Sequence, residues 1–188
     1  MQWRQIKMNF ANHLIEFLVK RSGKEYSLLL RMVAALIGAA VFMAGIPAIV
    51  FWVGGISGET LLLPSNASKI ISIVCFVFGV PWMLSAVFWQ LIRGKGTPVP
   101  IVPTKQFLQN GPYRYVRNPM MLGFFLYILG WAFLFDNSGA FLTVAVIISF
   151  LLLELKLIEE PELEQRFGDA YREYKKEIPF MLPRWKKL

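Results

Sequence analysis

Apolar residues in this chain fall into long blocks separated by short polar stretches, without the two- or four-residue rhythm of a soluble domain. The first block covers residues 28–53, interrupted only by Arg31 near its start and Pro47 near its end. The others cover 70–92, 120–135 and 139–158. A helix needs about 20 residues to cross the hydrocarbon core, so the blocks predict an all-α, multi-pass transmembrane helical bundle of about four spans. The third is short for a bilayer. Only Asp136, Asn137 and Ser138 separate the third block from the fourth, which forces an antiparallel hairpin. Its open ends, near 119 and 159, therefore lie on one side of the membrane.

The polar stretches complete a single membrane domain over 1–188. In residues 1–27, Ile6, Phe10, Leu14, Phe17 and Leu18 recur at helical spacing with bases between them, which predicts an amphipathic helix on the membrane surface. Charges are mixed throughout Met1 to Lys24, unlike a cleavable leader. Residues 93–119 contain Gly94, Gly96, Pro98, Pro100 and Pro103 and predict an extended, proline-stiffened connection. In the C-terminal stretch 159–188, Pro161 predicts the start of a new helix, with Glu162 and Glu164 in its first turn and Lys175 and Lys176 in its last. Its apolar face would be Leu163, Phe167, Ala170, Tyr171, Tyr174 and Ile178.

Composition agrees with the pattern and adds orientation. Of 188 residues, 56% are hydrophobic and the net charge is +8, which excludes an ordinary soluble domain. The bases cluster before the first span (Arg4, Lys7, Lys20, Arg21, Lys24), between the second and third (Arg93, Lys95, Lys105, Arg114, Arg117) and at the end (Lys175, Lys176, Arg184, Lys186, Lys187). The opposite loops hold only Lys69, so the positive-inside rule predicts a multi-pass membrane protein with both termini and the long middle loop cytoplasmic. The expected partner of this charge is the lipid bilayer, not nucleic acid. Cys75 is the only cysteine, leaving neither a disulfide nor a metal cluster. His13, the only histidine, has no orienting partner in the sequence and is expected to be an interfacial residue.

Two polar clusters flank the open ends of the hairpin. In the first, Asn118 is placed to cap the third span and Pro119 to be its first residue, and the free N–H groups of that helix start, with Arg114 and Arg117, would seat a carboxylate. In the second, Glu159 and Glu160 stand in an otherwise basic flank and call for a cationic partner, with Lys156 and Glu160 at the spacing of an i,i+4 ion pair. Capping and charge pairing alone would account for each cluster. Taken together, they match a ligand that carries both an ammonium and a carboxylate, such as the amino-acid end of S-adenosylmethionine, whose sulfonium also suits an acidic, aromatic pocket.

The run Gly111-Pro112-Tyr113-Arg114-Tyr115-Val116-Arg117-Asn118-Pro119-Met120, followed by Glu159-Glu160-Pro161, Arg166-Phe167-Gly168, Tyr171, Tyr174, Pro179 and Pro183, resembles the isoprenylcysteine carboxyl methyltransferase and phospholipid methyltransferase superfamily, particularly its short prokaryotic members. The resemblance covers Arg93 to Trp185. It implies a membrane methyltransferase that binds S-adenosylmethionine facing the cytoplasm, between the ends of its last two spans and its C-terminal helix. A lipophilic acceptor, whether carboxylate, thiol or lipid amine, would enter from the bilayer. Carried over by position, Tyr113, Arg117, Asn118 and Pro119 would form one wall of the cofactor site, Met120 and Gly123 the adjoining turn, and Glu159 and Glu160 would hold the amino-acid end. Asn118 stands where the more familiar pattern has histidine, so no proton-transfer role is implied for it, and no catalytic residue is assigned. Met121 replaces a usual tyrosine, and Leu155 an arginine of eukaryotic members. The alternatives are an NADPH-dependent membrane reductase related to sterol reductases, and a non-catalytic membrane partner protein.

Overall fold

A computed structural model describes residues 2–57, 65–97 and 102–183, without the side chains of 2–11, 57 and 65. The expected contributions of Ile6, Phe10, Pro98 and Pro100 lie outside what is described. The described residues form helices α1 (Gln2–Ser22), α2 (Leu28–Ala40), α3 (Ile46–Ser57), α4 (Ser65–Ile92), α5 (Pro119–Phe135), α6 (Ser138–Glu154), α7 (Glu160–Phe167) and α8 (Asp169–Glu177), with no strand among them. Three stretches are long and apolar enough to cross a membrane, Leu28–Ile56, Asn66–Ile92 and Ser138–Phe167, and Pro119–Phe135 is a shorter apolar helix. Large apolar side chains such as Leu36, Phe78, Leu142 and Phe150 face outwards. Such a surface is stable against lipid and not against water. The protein is an all-α membrane helical bundle.

Two prolines shape the long helices. A π turn, Val41–Gly45, joins α2 to α3, and a second, Leu155–Glu159, joins α6 to α7. Each ends shortly before a proline, Pro47 or Pro161, whose missing N–H breaks the ordinary hydrogen-bond ladder. Pro47 cannot serve the carbonyl four residues back, that of Met43, and the Tyr127 hydroxyl donates to it at 2.7 Å. The fourth block is thus not followed by a separate helix begun at Pro161. The helix runs on, and the π turn lets it absorb the proline, because the i→i+5 pattern inserts one extra residue.

The core sits between α4 and α5, with α3 against α6 and α5. Glycines bring the first pair together. A Cβ on Gly123 would lie 2.5 Å from the Met83 nitrogen and 2.7 Å from the Gly79 carbonyl oxygen, so the two backbones touch there. The α5–α6 hairpin closes through local chemistry. Asp136 adopts a left-handed φ of 50°, and the Asn137 side chain caps α6 by accepting from the Ala140 N–H at 2.8 Å. The Ser68 hydroxyl donates to Asp136 at 2.8 Å and ties this end to α4. At the other end α1 packs on α7 and the second π turn, burying Ile15, while His13 is exposed.

Candidate functional site

The open end of the α5–α6 hairpin gathers the C-terminal turn of α4, the connection from 102 to 118, the second π turn, α7 and α8. A short 3-10 turn, Gly111–Arg114, directs Tyr113 inwards, where it is 8% exposed. Tyr113, Arg117 and Glu159 line one cavity together with Gln90, Phe107 and Tyr174. A second cavity, lined by Glu154, Glu159, Glu162, Thr97 and Leu18, shares Gln90, Thr104, Glu159 and Leu163 with the first.

The two glutamates of the π-turn region diverge. Glu160 Oε1 lies 2.7 Å from Arg117 Nη2, with both side chains about nine-tenths buried, and Lys175 approaches its other oxygen at 3.8 Å. Arg117 also donates from Nη1 to the Lys175 carbonyl at 2.9 Å. The expected pairing of Lys156 with Glu160 does not form, and Lys156 instead lies over the Phe180 ring. Glu159 faces the cavities and makes neither an ion pair nor a hydrogen bond among the described residues. Glu162 and Arg166 pair at 2.8 Å deep in the second cavity's wall, and Arg166 also donates to the Thr104 carbonyl.

Asn118 has another task than the expected side-chain cap. Its side chain makes no capping bond and donates from Nδ2 to the Phe180 carbonyl at 3.1 Å, while the Arg117 N–H donates to the Pro179 carbonyl at 2.9 Å. The segment after α8 therefore lies across the start of α5, where a carboxylate seat was expected. Arg114 is exposed and rests over Tyr115. Pro119 is buried as the first residue of α5. Gly123 belongs to the α4–α5 crossing, and Met120 lines an apolar groove with Gly38, Phe42, Met83, Val87 and Met121. Of the eight residues carried over by resemblance, three thus share the polar cavity, and the other five pack around it or beside it.

Sequence reasoning did not single out Gln90, Thr104 or Phe107. Gln90 is a polar residue at the end of an apolar span, which reads as a boundary. Its Oε1 and the Tyr113 hydroxyl are buried and make no hydrogen bond of ordinary geometry among the described residues, although the two side chains lie within reach of each other. A buried polar atom left unsatisfied costs about 1–3 kcal/mol, so a polar ligand at this wall would gain by hydrogen-bonding either group. Burial holds the Tyr113, Tyr171 and Tyr174 phenols well above their ordinary pKa; the Glu159 carboxylate adds to this for Tyr113, and the Glu160 carboxylate for Tyr171. All three are neutral hydrogen-bonding groups. Among the described residues no group of three or more His, Cys, Asp or Glu is placed to hold a metal ion.

These features suit a ligand that carries an ammonium. The Glu159 carboxylate, which makes no ion pair or hydrogen bond among the described residues, and Gln90 Oε1 can accept from an ammonium, and the Tyr113 hydroxyl can donate or accept.

The fold and site define a membrane helical bundle with a polar chamber at one end of its last hairpin. The Phospholipid methyltransferase family profile matches residues 67–170, more than half of the chain, and the chain belongs to that family. It is similar to Protein-S-isoprenylcysteine O-methyltransferase of Schizosaccharomyces pombe, 34% identical over 74 residues, which are 39% of this chain and 31% of that protein. It is also similar to Methanethiol S-methyltransferase of Mycobacterium tuberculosis, 37% identical over 71 residues, 38% of this chain and 28% of that protein. Methanethiol S-methyltransferase 1 of Bradyrhizobium diazoefficiens is 35% identical over 75 residues, 40% of this chain and 25% of that protein. The matched segments thus span less than a third of these relatives' own length.

Proposed function

We propose that this protein is an integral membrane methyltransferase that uses S-adenosylmethionine and acts on a lipophilic acceptor at the cytoplasmic interface. The observation that carries the reading is Glu159, a carboxylate with no ion pair or hydrogen bond among the described residues, in a cavity that Gln90 and Tyr113 also line. The family and the named activities of the relatives supply the reaction type. The bound cofactor would supply an electrophilic sulfonium methyl group.

The chain's own part is to bind, align and exclude water. Glu159 and Gln90 accept hydrogen bonds from an ammonium, and Tyr113, neutral at all working pH values, satisfies a further polar atom. The acceptor's route is the apolar groove between α2, α4 and α5, lined by Ala35, Gly38, Met83, Val87 and Met120. On α4, Met83, Val87 and Gln90 follow at i, i+4 and i+7, so one helix face leads from that groove to the polar cavity. Alignment of two reactants supplies roughly 7–11 kcal/mol of a barrier, and a carboxylate or thiolate acceptor needs no general base. An amine acceptor has to arrive unprotonated, because Glu159 holds the cofactor ammonium in this reading. The distribution of basic residues supports a cytoplasmic placement of this end and of both termini.

Calorimetry of the purified protein with S-adenosylmethionine and, separately, NADPH tests the reading. S-adenosylmethionine should bind and Glu159→Gln should abolish that binding without unfolding the protein. Binding of NADPH alone would favour the reductase.

A further inference from the structure

The proposed cofactor site is closed by a residue of the chain itself. Its two cavities measure about 50 and 80 Å³, against roughly 300–1,000 Å³ for typical ligand pockets. The segment 102–110, which has neither helix nor strand, runs along both and contributes Thr104 to each. Few bonds hold it. Arg166 donates to the Thr104 carbonyl, the Lys105 and Gln106 N–H groups donate to the Gly94 carbonyl at 2.7 and 3.3 Å, and Lys105 meets the exposed Glu25 at 3.3 Å.

Phe107 reaches from this segment into the smaller cavity. Its ring is stacked on Phe167, with centroids 5.0 Å apart and planes at 22°, and meets Tyr171 and Tyr174 edge-on at 5.8 and 5.2 Å. The three partners, all from α7 and α8, form a slot with one parallel face and two edges, the arrangement in which a flat aromatic ring is best held. The same cavity is lined by polar side chains, Gln90 and Tyr113, whose Oε1 and hydroxyl make no hydrogen bond of ordinary geometry among the described residues, and Glu159. An aromatic slot beside unsatisfied hydrogen-bonding groups matches a nucleoside better than it matches an ordinary core.

We propose that the Phe167–Tyr171–Tyr174 slot is the subsite for the flat heteroaromatic ring of a nucleoside ligand, and that Phe107 is its built-in stand-in, withdrawing with its segment as the ligand enters. The proposal rests on the reading of this chamber as an S-adenosylmethionine site. Phe107 is only partly buried whereas Tyr171 is 2% exposed, so Phe107 is the member that can leave without opening the core. The incoming ring restores the stack that Phe107 gives up. The segment therefore lowers ligand affinity by the fraction of time the slot is open and does not forbid binding.

Calorimetry of the full chain with S-adenosylhomocysteine, comparing wild type with Phe107→Ala and Phe107→Trp, tests this. Removing the stand-in should tighten binding about tenfold, and the larger tryptophan should weaken it. Equal or weaker binding by Phe107→Ala overturns the proposal while leaving the cofactor reading intact. Absence of binding by wild type and Phe107→Ala alike sinks both. A second measurement avoids comparing affinities. In a Cys75→Ala background, Phe107→Cys should react with a polar maleimide several times faster when S-adenosylhomocysteine is saturating. An unchanged or slower rate means that the segment does not withdraw.

Discussion

Arg117 Nη2 lies 2.7 Å from Glu160 Oε1, so the two polar clusters that flank the last hairpin are joined directly, arginine to glutamate. Both side chains are about nine-tenths buried, so removal of Glu160 leaves Arg117 without its ion pair, and removal of Arg117 leaves Glu160 with only Lys175 at 3.8 Å. Such a loss costs roughly 3–5 kcal/mol in a buried pair. Glu160→Gln and Arg117→Leu should each lower the thermal midpoint in detergent markedly, and the double variant should be less unstable than the sum of the singles. Strict additivity would show that the pair contributes nothing.

Glu159 should behave in the opposite way. It makes no ion pair or hydrogen bond among the described residues, so Glu159→Gln should leave the midpoint unchanged or raised while S-adenosylmethionine binding falls by at least tenfold. The contrast between adjacent glutamates is the test. If Glu160→Gln loses binding with stability intact and Glu159→Gln is inert, the two have been assigned the wrong way round.

Asn118 anchors the segment after α8 through a single hydrogen bond to the Phe180 carbonyl. Asn118→Ala should cost about 1 kcal/mol and make cleavage by an added protease in the segment 178–183 faster. Asn118→His retains a donor of similar reach and should recover part of the protection. Unaltered proteolysis in Asn118→Ala would remove the anchoring role.

What could be read from the sequence was local. Asp136-Asn137-Ser138 announces a hairpin because a left-handed residue and a helix cap need only their neighbours. The long apolar blocks likewise announce spans. Pro161 misleads, because a proline at a helix start and one after a π turn leave the same mark on the sequence. The partner of Glu160 depends on how α5 and α7 come together, and spacing favoured Lys156 where geometry supplies Arg117. Phe107 carries no signal at all, being one aromatic residue in a proline-rich connection.

The α4–α5 crossing depends on two glycines. A Cβ on Gly123 would approach the Met83 nitrogen to 2.5 Å, and one on Gly79 the Gly123 carbonyl oxygen to 2.8 Å. Backbone atoms cannot swing aside as a side chain can, so Gly123→Ala should destabilise by about 1–3 kcal/mol, the usual range for overpacking. Gly55, with open space around it, is the control, and Gly55→Ala should be tolerated. Equal midpoints for the two variants would mean that the helices separate there at little cost.

The buried phenols predict the alkaline limit of the fold. Burial raises the pKa of Tyr113, Tyr171 and Tyr174 above the ordinary value of 10.0. The unfolded chain therefore releases these protons as pH passes about 10 while the folded chain keeps them. Stability follows the difference in bound protons, so the contribution of these groups is fully present below about pH 10 and is lost as pH rises beyond it, by at most about 1.4 kcal/mol per pH unit for each phenol. Tyr113→Phe removes one such phenol together with a hydroxyl that makes no hydrogen bond of ordinary geometry among the described residues. It should match or exceed wild-type stability at pH 8 and lose stability less steeply from pH 10 upwards, as followed by thermal unfolding across that range. Parallel curves for variant and wild type above pH 10 would show that Tyr113 ionises in the folded protein as readily as in the unfolded chain, and that its surroundings admit water.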